Sequence, residues 1–148
     1  MNLRELFQSF RKNERGNALV EFAMIVPIMS MMFLGVVDAG RVIDANARLN
    51  DGVSAGLRFA LSDAYASGSI TNASLAGSGY GEGEASASYS MFCECPDGTA
   101  LVCTAQCAQG YKRIFVQIDM NRTVDTLFSY PIIGQSMAVT RSGFLQVP

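Results

Sequence analysis

The sequence predicts an α+β protein: a long N-terminal membrane-spanning helix followed by a small disulfide-stapled antiparallel β-sheet domain. Three observations predict it. Residues 18–37 are a run of twenty whose single charge is Glu21, and about 20 apolar residues suffice to cross a bilayer core. Three segments between residues 87 and 147 alternate in the period of a half-buried strand. Four cysteines, Cys93, Cys95, Cys103 and Cys107, lie within fifteen residues.

Composition narrows the function. The chain has 148 residues, 49% of them hydrophobic, with a net charge of -2. Arg4, Arg11, Lys12 and Arg15 outweigh Glu5 and Glu14 in residues 1–16, so this leader is basic and the remainder acidic. Nothing beyond the leader is basic enough for a nucleic-acid partner. There is no histidine, which removes the commonest general base and metal ligand. Asp97, Asp119 and Asp125 stand as single carboxylates suited to turns and solvent faces. No enzyme, cofactor or metal is expected.

The apolar run reads as helix. Pro27 lies inside it; a membrane helix tolerates proline, at the cost of a bend. Basic residues before the run place the N-terminus on the cytoplasmic side and the rest of the chain outside. A secretory signal would end in a small-residue cleavage site, which Asp38-Ala39-Gly40-Arg41 is not. An uncleaved signal anchor explains the length and the charge but not Glu21, a carboxylate that is costly in hydrocarbon.

The setting of Glu21 carries a family resemblance. Arg15-Gly16-Asn17-Ala18-Leu19-Val20-Glu21-Phe22 resembles a type IV prepilin cleavage site: a basic leader ending in glycine, then an apolar helix with glutamate at mature position five. The stretch 15–61 is similar, more narrowly, to TadE-like proteins of tight-adherence (Tad, or Flp) pilus systems. That likeness adds Ala23, Pro27, Gly35-Val36-Val37-Asp38-Ala39-Gly40-Arg41 and the tail Asn50-Asp51-Gly52-Val53-Ser54-Ala55-Gly56-Leu57-Arg58-Phe59-Ala60. It implies cleavage between Gly16 and Asn17, with Glu21 and Phe22 setting subunit register in a pilus. The main Flp pilins end soon after the helix, so the added domain favours a minor or accessory pilin.

One helix is expected over residues 17–61, on the order of 65 Å long. Asp38, Arg41, Asp44 and Arg48 follow at spacings that allow pairing along one face. Ala45, Leu49, Val53, Leu57 and Ala60 form an apolar stripe expected to pack on the protein's own domain. Gly52-x-x-x-Gly56 permits close helix approach, either to that domain or to another subunit. Gly52-Val53-Ser54-Ala55-Gly56 also spells a nucleophile motif, but it lies in a helical pattern and lacks a histidine partner. Residues 62–88, rich in Gly, Ser and Ala, read as a linker.

The β domain is expected over residues 89–148. Its first strand puts Ala87, Tyr89, Met91 and Cys93 on one face. The second puts Ile114, Val116, Ile118 and Met120 opposite Phe115, Gln117 and Asp119. In the third, Met137, Val139, Arg141, Gly143, Leu145 and Val147 alternate with Ala138, Thr140, Ser142, Phe144 and Gln146, and either face could be buried. Cys95-Pro96-Asp97-Gly98 signals a turn. The cysteines suggest two disulfides, in any of three pairings. Zinc on four thiolates is the rival reading, though C-x-C…C-x-x-x-C departs from the spacing of a zinc ribbon.

The expectation is thus a minor pilin or pilin-like assembly subunit of a Tad/Flp pilus, held in the bacterial inner membrane and supporting adhesion. The resemblance implies as partners a prepilin peptidase, other pilin-like subunits, the inner-membrane assembly platform and the lipid bilayer. A type II secretion pseudopilin or type IV minor pilin is the alternative within the pilin class. An uncleaved signal-anchored periplasmic binding module is the alternative outside it.

Overall fold

The computed structural model describes residues 14–81, 83–108, 110–130 and 134–147. Most of the expected leader, residues 1–13, lies outside the described residues. The architecture is α+β: a long apolar N-terminal helix, then a four-stranded antiparallel sheet with two disulfides. The chain divides into two compact units, Met1–Ala39 and Gly40–Pro148.

The described part of the first unit is helical. Helix α1, Glu14–Ala60, begins here and holds Pro27 in its interior. Pro27 has no N–H to offer the carbonyl four residues back. One turn on, the Ser30 hydroxyl donates to the Val26 carbonyl four residues back at 2.7 Å, a local bond that serine side chains commonly make within helices.

The second unit contains the rest of α1, helix α2 (Ser67–Ser78) and strands β1 (Ser86–Glu94), β2 (Ala100–Leu101), β3 (Arg113–Tyr130) and β4 (Gly134–Val147). The sheet order is β2-β1-β3-β4. β1 pairs with β3 from Ser86↔Asn121 to Glu94↔Arg113. β3 and β4 form a long hairpin, with an irregularity between Asp125 and Tyr130.

Strand alternation decides which face meets the helices. Val116, Ile118, Met120 and Val124 of β3 and Val139 and Val147 of β4 are buried with Ala45, Leu49, Val53 and Ala60 of α1 and Ile70 of α2. The α1 stripe therefore packs on the protein's own sheet, and the odd-numbered face of β4 turns inward. Leu49, Ile70 and Ile118 are fully buried, each stabilising the unit by about 1.5–3 kcal/mol. On the opposite face Phe92 and Phe115 stack across the β1–β3 pair with centroids 5.0 Å apart. Phe144 of β4 meets both edge-on, at 6.3 and 6.4 Å.

Helix α2 is a departure from the sequence reading, which made residues 62–88 a linker. Its residues have little large apolar surface, and no side chain caps its N-terminus. What holds it is close contact with α1. A Cβ on Gly52 would fall 2.6 Å from the Ser74 carbonyl oxygen, and one on Gly56 1.9 Å from the Ser74 hydroxyl. A Cβ on Gly77 would fall 2.4 Å from Ala55. Gly52-x-x-x-Gly56 thus serves a contact within the unit. Ser74 and Ser78 are buried there, their hydroxyls donating to the carbonyls of Ile70 and Leu75. Gly79 ends α2 with φ of 67° and donates its N–H to Ala76, a left-handed closure that glycine adopts at least cost.

Cys93 pairs with Cys103 and Cys95 with Cys107, with Cα atoms 5.1 and 5.7 Å apart. Both bonds tie the excursion between β1 and β3 to the sheet. The turn ahead of β2 closes by Gly98 N–H to the Cys95 carbonyl and Cys95 N–H to the Thr99 carbonyl, each 2.9 Å. All four sulfurs are consumed, so no thiolate remains for zinc.

Candidate membrane anchor and processing site

The residues singled out for function fall in the N-terminal part of α1. Gly16 and Asn17 lie in its first turn; the Asn17 side chain is outside the described residues. Glu21 follows Asn17 by four residues, which stacks the two positions on one side of the helix. Glu21 is exposed. Phe22, Leu19, Met24, Ile28, Met31 and Phe33 are each at least 64% exposed. They project around the helix rather than along one stripe.

Such a surface is unfavourable in water. A monomeric soluble protein rarely exposes an apolar patch of this extent. The helix qualifies as a membrane span by length and composition, with a mean hydropathy of 2.1 over its most apolar window and none of that window buried. This is the arrangement expected of a membrane anchor, whose apolar side chains meet lipid or other apolar helices.

Beyond the apolar segment the charges differ in their setting. Arg48 donates to Asp44 at 2.8 Å across one helical turn, with both side chains largely in solvent, a pair that contributes at most about 0.5 kcal/mol. Asp38, which its spacing assigns to the same charged face, is buried. Arg48 and Arg122 both approach the Tyr80 ring, at 5.6 and 3.9 Å from its centroid.

A second polar site was not legible in the sequence. The Tyr89 hydroxyl of β1 donates to the Ala64 carbonyl and so fastens the loop after α1 to the sheet. Burial raises the Tyr89 pKa, with further upward pushes from Tyr65 and Asp63.

Fold and anchor together define a class: one candidate membrane-spanning helix attached to a disulfide-braced α+β unit. The particular family comes from comparison. Residues 16–58 match the family model described as TadE-like protein. The match begins at Gly16, continues through the apolar segment and ends near the close of α1. The likeness to TadE-like proteins is thus one of the helix, and it covers under a third of the 148 residues. No curated protein and no solved structure matches the chain.

Proposed function

We propose that the protein is a minor pilin or pilin-like assembly subunit of a Tad/Flp pilus. In this reading it is the substrate of an enzyme and not itself an enzyme. A prepilin peptidase cuts between Gly16 and Asn17, and the mature helix sits in the bacterial inner membrane with the β domain outside. Its partners are other pilin-like subunits and the assembly platform, and the pilus serves attachment.

The observation that supports this most is positional. The family match starts at Gly16, where a charged segment gives way to the apolar helix, and Glu21 is the fifth residue beyond it. Hydrolysis of the Gly16–Asn17 peptide bond frees an ammonium at Asn17. At a separation of about 4 Å, an ammonium and a carboxylate attract by about 1 kcal/mol in water and about 4 kcal/mol at the effective dielectric of a protein surface. A subunit entering a helix bundle out of register leaves Glu21 without that partner, and an unpaired buried charge is strongly unfavourable. The pair thereby sets axial position.

The test is the N-terminal sequence and intact mass of the protein from host membranes, with and without the prepilin peptidase. A start at Asn17 that depends on the peptidase is expected. A start at Met1 in both strains overturns the processing claim and moves the reading to a signal-anchored module.

A further inference from the structure

The two disulfides interlace. Cys93 reaches past Cys95 to Cys103, and Cys95 reaches past Cys103 to Cys107. Each bond joins cysteines that are not neighbours in the sequence. We infer that correct pairing requires a thiol–disulfide isomerase, a partner distinct from the pilus components. The inference rests on the reading above only in placing this domain in an oxidising compartment.

Chain statistics do not select the native pairs. Contact between two points on a flexible chain falls as roughly the 3/2 power of their separation. Cys107 lies four residues from Cys103 and twelve from Cys95, so it meets Cys103 about five times as often. Cys103 is also nearer to Cys95 than to Cys93, eight residues against ten, a preference of about 1.4-fold.

The finished fold does select them, but through groups that lie later in the chain. Lys112 donates from Nζ to the Cys103 carbonyl. Arg113 donates to the carbonyls of Cys95 and Pro96 at 3.1 and 3.4 Å. Cys93 is held by pairing of β1 with β3, opposite Ile114. The local β1–β2 pairing has two residue pairs, and so short a hairpin is marginal by itself. Once the fold closes, Cys93 is fully buried, Cys95 and Cys107 nearly so and Cys103 half-buried, which restricts access of an attacking thiolate to three of the four sulfurs. Rearrangement is therefore faster before closure than after it.

The chemistry balances. An oxidoreductase disulfide takes two electrons and two protons from each pair of thiols it joins, and becomes a dithiol. Take the mispaired form Cys93–Cys95 with Cys103–Cys107. The isomerase thiolate attacks Cys95 Sγ, forming a mixed disulfide and releasing the Cys93 thiolate. Cys93 attacks Cys103 Sγ, forming the native bond and releasing the Cys107 thiolate. Cys107 attacks Cys95 Sγ in the mixed disulfide, forming the second native bond and returning the isomerase thiolate. No net electrons move.

The experiment uses the full chain in detergent micelles, reduced in urea and then returned to buffer. One arm is oxidised with diamide alone. In the other, that product receives a thioredoxin-fold isomerase and reduced glutathione. Cleavage at Glu94 and Asp97 separates Cys93 from Cys95 and both from Cys103 and Cys107, and tandem mass spectrometry assigns the bonds. Diamide alone is expected to leave native pairs in the minority, and the isomerase to raise them at least twofold, to the dominant form. A control carrying Cys93→Ser and Cys103→Ser has one possible intramolecular bond and should form it without isomerase. Native pairs dominating in diamide alone, mispairs that the isomerase does not convert, or a control that needs the isomerase would each overturn the inference. None of these readouts depends on pilus membership, which N-terminal sequencing tests separately.

Discussion

At the scale of single residues, two glycines of α1 make opposite predictions. Alanine is favoured over glycine inside a helix by about 1 kcal/mol. At Gly40 nothing lies within 4 Å of an added Cβ, so Gly40→Ala should stabilise the protein by up to about 1 kcal/mol. At Gly56 the new carbon would fall 1.9 Å from the Ser74 hydroxyl and 2.6 Å from Ile118. Ser74 is fully buried and bonded to the Ile70 carbonyl, so it has little room to move. Overpacking costs about 1–3 kcal/mol and should outweigh the helix gain. Thermal melts of the full chain in micelles, followed by tyrosine circular dichroism, should raise the midpoint for the first variant and lower it for the second. Glu21→Gln belongs to this scale too. It should leave cleavage and the melt unchanged while reducing incorporation with partner subunits at least tenfold, measured by co-purification with sheared pili; unchanged incorporation would remove Glu21 from register control.

At the scale of elements, the predictions concern what ties loops to the sheet. Removing Cys93–Cys103 by paired Cys→Ser changes should cost about 2–5 kcal/mol, read from the urea midpoint. Tyr89 links the loop after α1 to β1, and its raised pKa has a definite sign. The folded state holds the phenolic proton more tightly than the unfolded state. Stability from this source is therefore complete below about pH 10, the ordinary tyrosine value, and declines as pH rises through the folded pKa. Tyr89→Phe should weaken the unit by about 0.5–1.5 kcal/mol at neutral pH and flatten the decline above pH 10. An unchanged alkaline profile would assign that decline to another group.

The same scale shows what the sequence could reveal. The α1 stripe was legible because Ala45, Leu49, Val53, Leu57 and Ala60 repeat at helical spacing, and β3 because Ile114 to Met120 alternate. Helix α2 was not. Its stability comes from a tertiary contact with Gly52 and Gly56, while its Ser/Gly/Ala composition alone favours loop. The inward face of β4 was ambiguous because the odd-numbered set also holds an exposed Arg141 and a half-buried Gly143; a Cβ on Gly143 would fall 2.7 Å from Val53, a contact that only the fold reveals. Cysteine pairing was illegible because spacing does not encode connectivity.

At the scale of the whole molecule, the two units differ in what they require of their surroundings. The first presents apolar side chains with no cover, and the second has its own core. Full-length protein should stay with the membrane pellet through an alkaline carbonate wash. Residues 40–148, exported with their disulfides formed, should remain in solution without detergent and melt cooperatively. A fragment that aggregates or lacks a transition would show that its core needs the apolar segment.

The interlaced disulfides also bear on how the protein responds to being pulled. Residues 93–107 would span about 50 Å if fully extended. A load can instead pass from Cys93 through Cys95 and across to Cys107, whose Cα atoms are 5.7 Å apart. About 35 Å of contour is thereby withheld from extension. In the proposed role, within a pilus, the protein would lengthen less under tension, and the withheld length would appear as an added step when the bonds are reduced in a single-molecule pulling experiment.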